Sequence, residues 1–228
     1  MLAELLEVSK HYEQPGSTVR SLVLDKVSLS IRKRETISIV GPSGSGKSTL
    51  LNILGTLDQP TSGKVILDGA DVTRQSSDTL AGIRNRFIGN IFQLHYLLPQ
   101  LTLFENVLLP VLARKERPDP DEFRQRALQL LERVGLKEHI TKFPYQLSVG
   151  ECQRGAVVRA LINQPLLLLA DEPTGSLDAE NAQMLADLLV DLNKEQGTAM
   201  VVATHSMDLA NKMETKFRLS SGKLLQIT

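Results

Sequence analysis

Apolar residues recur along this chain in two rhythms. Short aliphatic and β-branched runs, "ETISIV" (35–40), "KVILD" (64–68), "PLLLLAD" (165–171) and "TAMVVAT" (198–204), have the length and composition of buried strands. After Asp178, Met184, Leu185, Leu188, Leu189 and Leu192 fall at helical spacing, and Gly197 supplies the stop. Strands alternating with such helices predict an α/β layer fold. "LLEVS" (5–9) and "VSLSI" (27–31) read as further strands, expected in an antiparallel edge layer.

The middle of the chain has a different pattern. From about 94 to 163 no strand is expected. "RPDPDEFRQRALQLLERVG" offers Asp119 as N-cap, Pro120 at the first helical position and Glu122 at the third, which predicts a capping box. Phe123, Ala127, Leu130, Leu131 and Val134 line one face of that helix, and Gly135 closes it. The stretch therefore reads as a helical subdomain inserted into an α/β core, within one domain spanning 1–228. "ARKERPDPDE" (113–122) is its most loop-like linker, and no internal repeat or low-complexity segment breaks the chain.

Composition narrows the possibilities. The 228 residues suffice for a substantial single core. Lysine plus arginine and aspartate plus glutamate each number 26, so global charge gives no case for nucleic acid or anionic lipid. Cys152 is the single cysteine, which excludes an internal disulfide and fits a reducing compartment. The N-terminus "MLAELLEVSKHY" lacks the basic and apolar regions of a secretory signal. No apolar run approaches the ~18 residues of a membrane helix, so work at a membrane would need a separate anchor.

"GPSGSGKST" (41–49) satisfies the G-x-x-x-x-G-K-[ST] pattern, and it follows an expected strand and precedes an apolar helix start. Its glycines leave backbone N–H groups free to ring phosphates, and the helix adds its positive end. The set is Gly41, Ser43, Gly44, Ser45, Gly46, Lys47, Ser48 and Thr49. Lys47 is placed for the β- and γ-phosphates of ATP and the Ser48 hydroxyl for Mg²⁺. "LLLLADE" then provides Asp171 for the metal and Glu172 to orient or deprotonate the attacking water.

"LSVGECQRG" (147–155) admits two readings. Ser148-x-x-Glu151 is a capping box for the helix that follows; Ser148 and Gly150 also look like part of a phosphate-sensing loop in which Val149 replaces a glycine. With "IFQ" (Gln93), "GSLD" (Asp178) and "ATH" (His205), these motifs lie in the order and separations of the ATP-binding-cassette (ABC) ATPases, and the chain resembles that family over nearly its whole length. The resemblance implies a RecA-like P-loop NTPase core with an antiparallel β layer and an inserted helical subdomain. It implies ATP and Mg²⁺ as cofactors and an ATP-dependent homodimer.

By the same resemblance, Tyr12 stacks on adenine, Gln93 touches Mg²⁺ and the attacking water, and His205 bonds the γ-phosphate. Asp178 reaches across the dimer, and Ser148 and Gly150 cap the γ-phosphate held by the partner. Val149, β-branched where the family has glycine, resists positive φ and narrows the approach, predicting a working but slower or more tightly gated site. Cys152 stands where glutamine is common, and Ser206 follows His205 where aspartate is common; serine still caps a helix there.

Members of the family without membrane segments pair with separate transmembrane subunits at the cytoplasmic face of the membrane. Leu97, Leu98, Leu101, Leu103, Phe104 and Val107 read as packing of the helical subdomain, while Leu94, His95, Tyr96 and again Leu98 are candidates to lie near the docking groove. Thr174-Gly175 and "QLHYLLPQLTLFENVLLP" resemble the lipoprotein-release and macrolide-export branch. Another exporter or importer, or a non-transport cassette of the cell-division type, is the alternative. A kinase or GTPase leaves "LSVGE", "GSLD" and "VVATH" unexplained.

Overall fold

The computed structural model describes residues 1–13, 20–114 and 119–227. The strands β1 (Ala3–Glu13), β2 (Arg20–Ile31), β4 (Ser62–Leu67) and β5 (Ala70–Asp71) form an antiparallel sheet in the order β2-β1-β4-β5. Six more, β3 (Thr36–Val40), β6 (Ile88–Ile91), β7 (Leu167–Asp171), β8 (Ala199–Thr204), β9 (Thr215–Ser220) and β10 (Lys223–Ile227), form the second sheet. Its order is β10-β9-β3-β8-β7-β6, parallel except for the β10 edge. All four expected strands are present, as is the antiparallel layer, but "KVILD" lies in that layer as β4 and buries only Val65 and Leu67, so it is half-buried rather than buried.

The helices are α1 (Lys47–Leu54), α2 (Ser77–Phe87), α3 (Leu103–Leu112), α4 (Pro120–Arg133), α5 (Val149–Leu161), α6 (Ala179–Gln196) and α7 (Met207–Ala210). Strand side chains alternate between faces, and both faces of the parallel sheet are covered. Ile37, Ile39, Leu167, Leu169, Val201 and Ala203 join Leu50, Ile53 and Leu54 of α1 and the inner residues of the antiparallel sheet. Leu168, Ala170, Met200 and Val202 face the other way, toward α3, α4, α5 and α6. Double burial explains why "LLLLA" and "AMVVA" carry no polar alternation. The helices between 103 and 161 thus share one apolar cluster with the sheet.

One cap differs from expectation. The box at Asp119 is half formed: its carboxylate accepts from Asp121 N at 3.0 Å. Glu122 makes no return bond; its charge acts instead on Arg126, one turn along the same helix. Gly135 does terminate α4 at positive φ, 73°. The expected linker 113–122 is shorter in the structure, because its residues 120–122 form the first turn of α4; its residues 115–118 lie outside the described set. The strand β6 ("IGNI"), the edge pair β9 and β10, and the helix α2 carried no signal used above.

Candidate functional site

The loop between β3 and α1 is shaped by glycine where no side chain fits. A Cβ on Gly41 would collide with the Leu219 carbonyl oxygen, and one on Gly46 would stand 2.9 Å from Val23 Cγ1. Gly44 and Gly46 take φ of 76° and 100°, a region closed to most side chains. The loop opens on a cleft of about 720 Å³ whose walls include Ser43, Gly44, Gly46, Lys47, Ser48 and Thr49. Val23, Gln93, Glu172 and His205 complete the lining.

Lys47 is 7% exposed, and its ammonium is satisfied by its own loop. Nζ donates to the carbonyls of Gly41 (2.9 Å) and Pro42 (3.2 Å) and stands 3.6 Å from Glu172 Oε1. Those carbonyls hold the cation at the mouth of the loop, where its alternative partner is an anion.

Asp171 ends β7, partly buried, and its Oδ1 has no hydrogen-bond partner. Burial pushes its carboxyl above the ordinary range and neighbouring Glu172 adds to this, while the Ser48 hydroxyl and Lys47 pull the other way. A half-buried carboxylate with one oxygen unpaired, hydrogen-bonded to the Ser48 hydroxyl, together with Gln93 in the same cleft lining as Ser48, is a set of hard oxygen donors and suits Mg²⁺. No cluster of three or more His, Cys, Asp or Glu occurs among the described residues, and a cation shared with phosphates needs none.

Glu172 sits just past the strand at φ 45°, an uncommon conformation for a side-chain-bearing residue. Its N–H donates to Ala203 O (2.8 Å), which holds the turn in place. His205 follows β8 and meets the carboxylate twice: its N–H donates to Oε2 at 3.2 Å and its Nδ1 lies 2.9 Å from the same oxygen. Gln93 enters from the strand side, two residues past β6. Its neighbour Phe92 accepts from Gln153 Nε2 of α5 (2.8 Å), so Gln93 and α5 are mechanically joined.

The remaining candidates stand apart from this cleft. Ser148 caps α5: its Oγ accepts from Glu151 N (3.2 Å) and its N donates to Glu151 Oε2 (2.7 Å), the expected box. Val149 is the first helical residue and 53% exposed, and it is not at positive φ, so the anticipated backbone penalty is absent. Position 149 begins a right-handed turn, which a branched residue accepts. Asp178 caps α6, accepting from Asn181 N at 2.9 Å. Tyr12 lies outside the cleft lining, with its hydroxyl donating to Asp58 Oδ2 (2.8 Å) and Lys10 over its ring at 4.9 Å. Ser206 caps α7 as expected, accepting from Leu209 N at 3.4 Å.

One copy thus brings Lys47, Ser48, Asp171, Glu172, Gln93 and His205 together and leaves Ser148, the buried Gly150 and Asp178 outside that cleft. Val23, which walls the loop from β2, and Asn181, which bonds Asp178, were not singled out in the sequence. Val23 lies in a strand with no motif, and Asn181 has the bland profile of a helix-start residue.

The sequence profile described as "ABC transporter" matches residues 24–175. Among solved structures, the ATP-binding cassette MJ0796 is similar at TM-score 0.89 and 38% identity, covering 99% of each chain; that structure is a dimer in a post-hydrolysis state bound to ADP and Pi. A second dimeric structure of MJ0796, described as a bacterial ABC transporter cassette, matches at 39% identity and TM-score 0.89, again over 99% of each chain. The cbiO1 protein of Clostridium perfringens, part of the ABC transporter complex cbiONQ, matches at 28% identity and TM-score 0.85, over 99% of this chain and 87% of its own.

Proposed function

The chain belongs to the ABC transporter family, is an ABC ATPase that binds ATP, and from that premise we propose that two copies close face to face around two nucleotides. The observation that carries this reading is the split site. Catalytic groups converge on a cleft about 720 Å³ in volume, while the capped serine and the acid at the start of α6 are absent from its lining. The dimeric relatives support the same arrangement.

In this account Lys47 leaves its loop carbonyls for the β- and γ-phosphates, and Ser148 of the second copy supplies a hydroxyl and a helix N-terminus to the outer face of the γ-phosphate. Closure removes water, which strengthens each of these contacts. Glu172 takes a proton from the attacking water, and His205, already within bonding distance of the carboxylate, holds that carboxylate and meets the γ-phosphate. Ser48, Gln93 and Asp171 would hold Mg²⁺, which supplies charge neutralisation on the phosphates when bound. Tyr12 is assigned to the adenine.

No helix among the described residues is long and apolar enough to cross a membrane. We therefore assign the load to separate transmembrane subunits, with the chain peripheral at the cytoplasmic face. Leu94, Tyr96 and Leu98 are 57%, 61% and 46% exposed. Arg159 fixes the backbone beneath them by donating to Tyr96 O (2.6 Å) and His95 O (2.7 Å). Beside them a groove of about 590 Å³ includes Phe92, Tyr96 and Arg159 in its lining, which fits a helix end of a membrane partner. The work is assigned to lipoprotein release or macrolide-type export, from Thr174-Gly175 and the 93–110 stretch.

The dimer reading is tested with Glu172→Gln, which leaves binding groups intact and stalls hydrolysis. Size exclusion with ATP and Mg²⁺ is expected to shift the variant to a dimer. A variant that stays a single copy at saturating ATP, alone and with its membrane subunits, refutes the closure. Co-purified partners with few membrane helices and large outer domains support the release branch; many-helix permeases point to import.

A further inference from the structure

Gly150 and Asn181 belong to different helices, yet their start positions interlock. Gly150 is buried in the first turn of α5, and a Cβ built on it would stand 2.8 Å from Asn181 Oδ1 and 3.2 Å from Asn181 Cγ. The asparagine carboxamide is not free to swing aside. Its Nδ2 donates to Asp178 Oδ2 (2.7 Å), while its backbone N donates to Asp178 Oδ1 (2.9 Å). On the other side of Gly150, Ser148 is locked to Glu151 by reciprocal bonds, and His139 Nδ1 lies 3.1 Å from Glu151 Oε1. A continuous line of fixed groups therefore runs from Asp178 through Asn181 and Gly150 to Ser148, within one copy.

We propose that Asn181 is a positioning residue that locks the Ser148–Gly150 turn and Asp178 into one rigid unit, and that position 150 must be glycine to admit its carboxamide. This rests on the reading that Ser148 and Asp178 both face the partner's nucleotide. Two groups that arrive at the same phosphate from different helices lose their registration if those helices slide. An absent side chain permits the close approach that prevents sliding. The glycine then serves a contact inside its own chain, besides any closeness it gives to phosphate.

The test is a double-mutant cycle on the full chain: Gly150→Ala, Asn181→Ala and the two combined. Gly150→Ala forces the carboxamide off Asp178. It is expected to lower the thermal midpoint by about 2–4 °C and ATP turnover by at least about tenfold, the scale of one lost interaction. Asn181→Ala keeps the Asp178 cap through the backbone and is expected to cost less. In the combined variant the new methyl has room, so midpoint and turnover should return to those of Asn181→Ala alone. ATP affinity of a single copy should stay unchanged throughout, because neither residue lines the Lys47 cleft.

Turnover of the combined variant fixed at the Gly150→Ala level overturns the proposal, because glycine would then serve the partner's phosphate alone. A Gly150→Ala protein equal to the parent, or midpoints that add, overturns it too. The midpoint cycle reads an intrachain contact and needs no dimer. If ATP fails to pair the parent chains while the cycle is non-additive, the dimer reading has failed and the interlock has not.

Discussion

Ser148→Ala separates the two readings of the loop at 147–155, because the serine has one job inside its own chain and another across the dimer. Within the chain it accepts a single bond, from Glu151 N at 3.2 Å, at an exposed position. The stronger half of the box, from Ser148 N to Glu151 at 2.7 Å, uses the backbone and survives the change. An N-cap loss of this kind sits at the low end of its range, about 0.5–1 kcal/mol. For a chain of this size that lowers the midpoint by about 1–4 °C. Across the dimer, each serine gives a charge-assisted bond to phosphate of about 1.5–3 kcal/mol. Two such bonds make about 3–6 kcal/mol, which weakens the ATP dimer by about 10²–10⁴-fold. The assay is sedimentation of Glu172→Gln with and without Ser148→Ala over a series of ATP-saturated concentrations, beside a thermal melt. An unchanged dimer constant with a lowered midpoint would show that Ser148 is a helix cap only.

Val149→Gly tests the narrowing that remains once the backbone penalty is set aside. It should raise turnover of the assembled complex a few fold while costing helix stability of about 0.5 kcal/mol, and equal rates would place the valine clear of the phosphate. The Ser148 backbone N–H, with the Ser148 hydroxyl, His139 and Lys142, holds the Glu151 carboxyl below its ordinary value of 4.5. A depressed carboxylate contributes stability that is present above that value and lost as pH falls through its lowered pKa. Melts of Glu151→Gln from pH 7 to pH 3 should therefore lie below the parent at pH 7 and converge with it in acid; parallel curves would contradict the assignment.

The strands that flank the cleft were readable because both faces of each are buried, so length and apolar content alone mark them. The loop 41–49 was readable for another reason: its glycines are required by local backbone geometry, and they stand at fixed spacing from Lys47. The strand β6 escaped notice because four residues with glycine and asparagine carry little strand signal; pairing with β7 holds it. The half-formed cap at Asp119 and the helical φ of Val149 were misjudged from residue type, since both depend on how the turn is actually wound. Asn181 and Val23 could not be found by motif, because their importance comes from what tertiary packing sets against Gly150 and Gly46.

The most direct measurement mixes two inactive proteins, Lys47→Ala and Ser148→Arg, and follows phosphate release. A nucleotide held between copies needs Lys47 from one chain and Ser148 from the other, so each mixed pair rebuilds one intact site. Random pairing at equal amounts should restore about a quarter of the parent rate, half of the dimers each having one site of two. No activity above that of the separate variants, with mixed pairs shown to form, would mean that each chain completes its own site, and the account would be wrong.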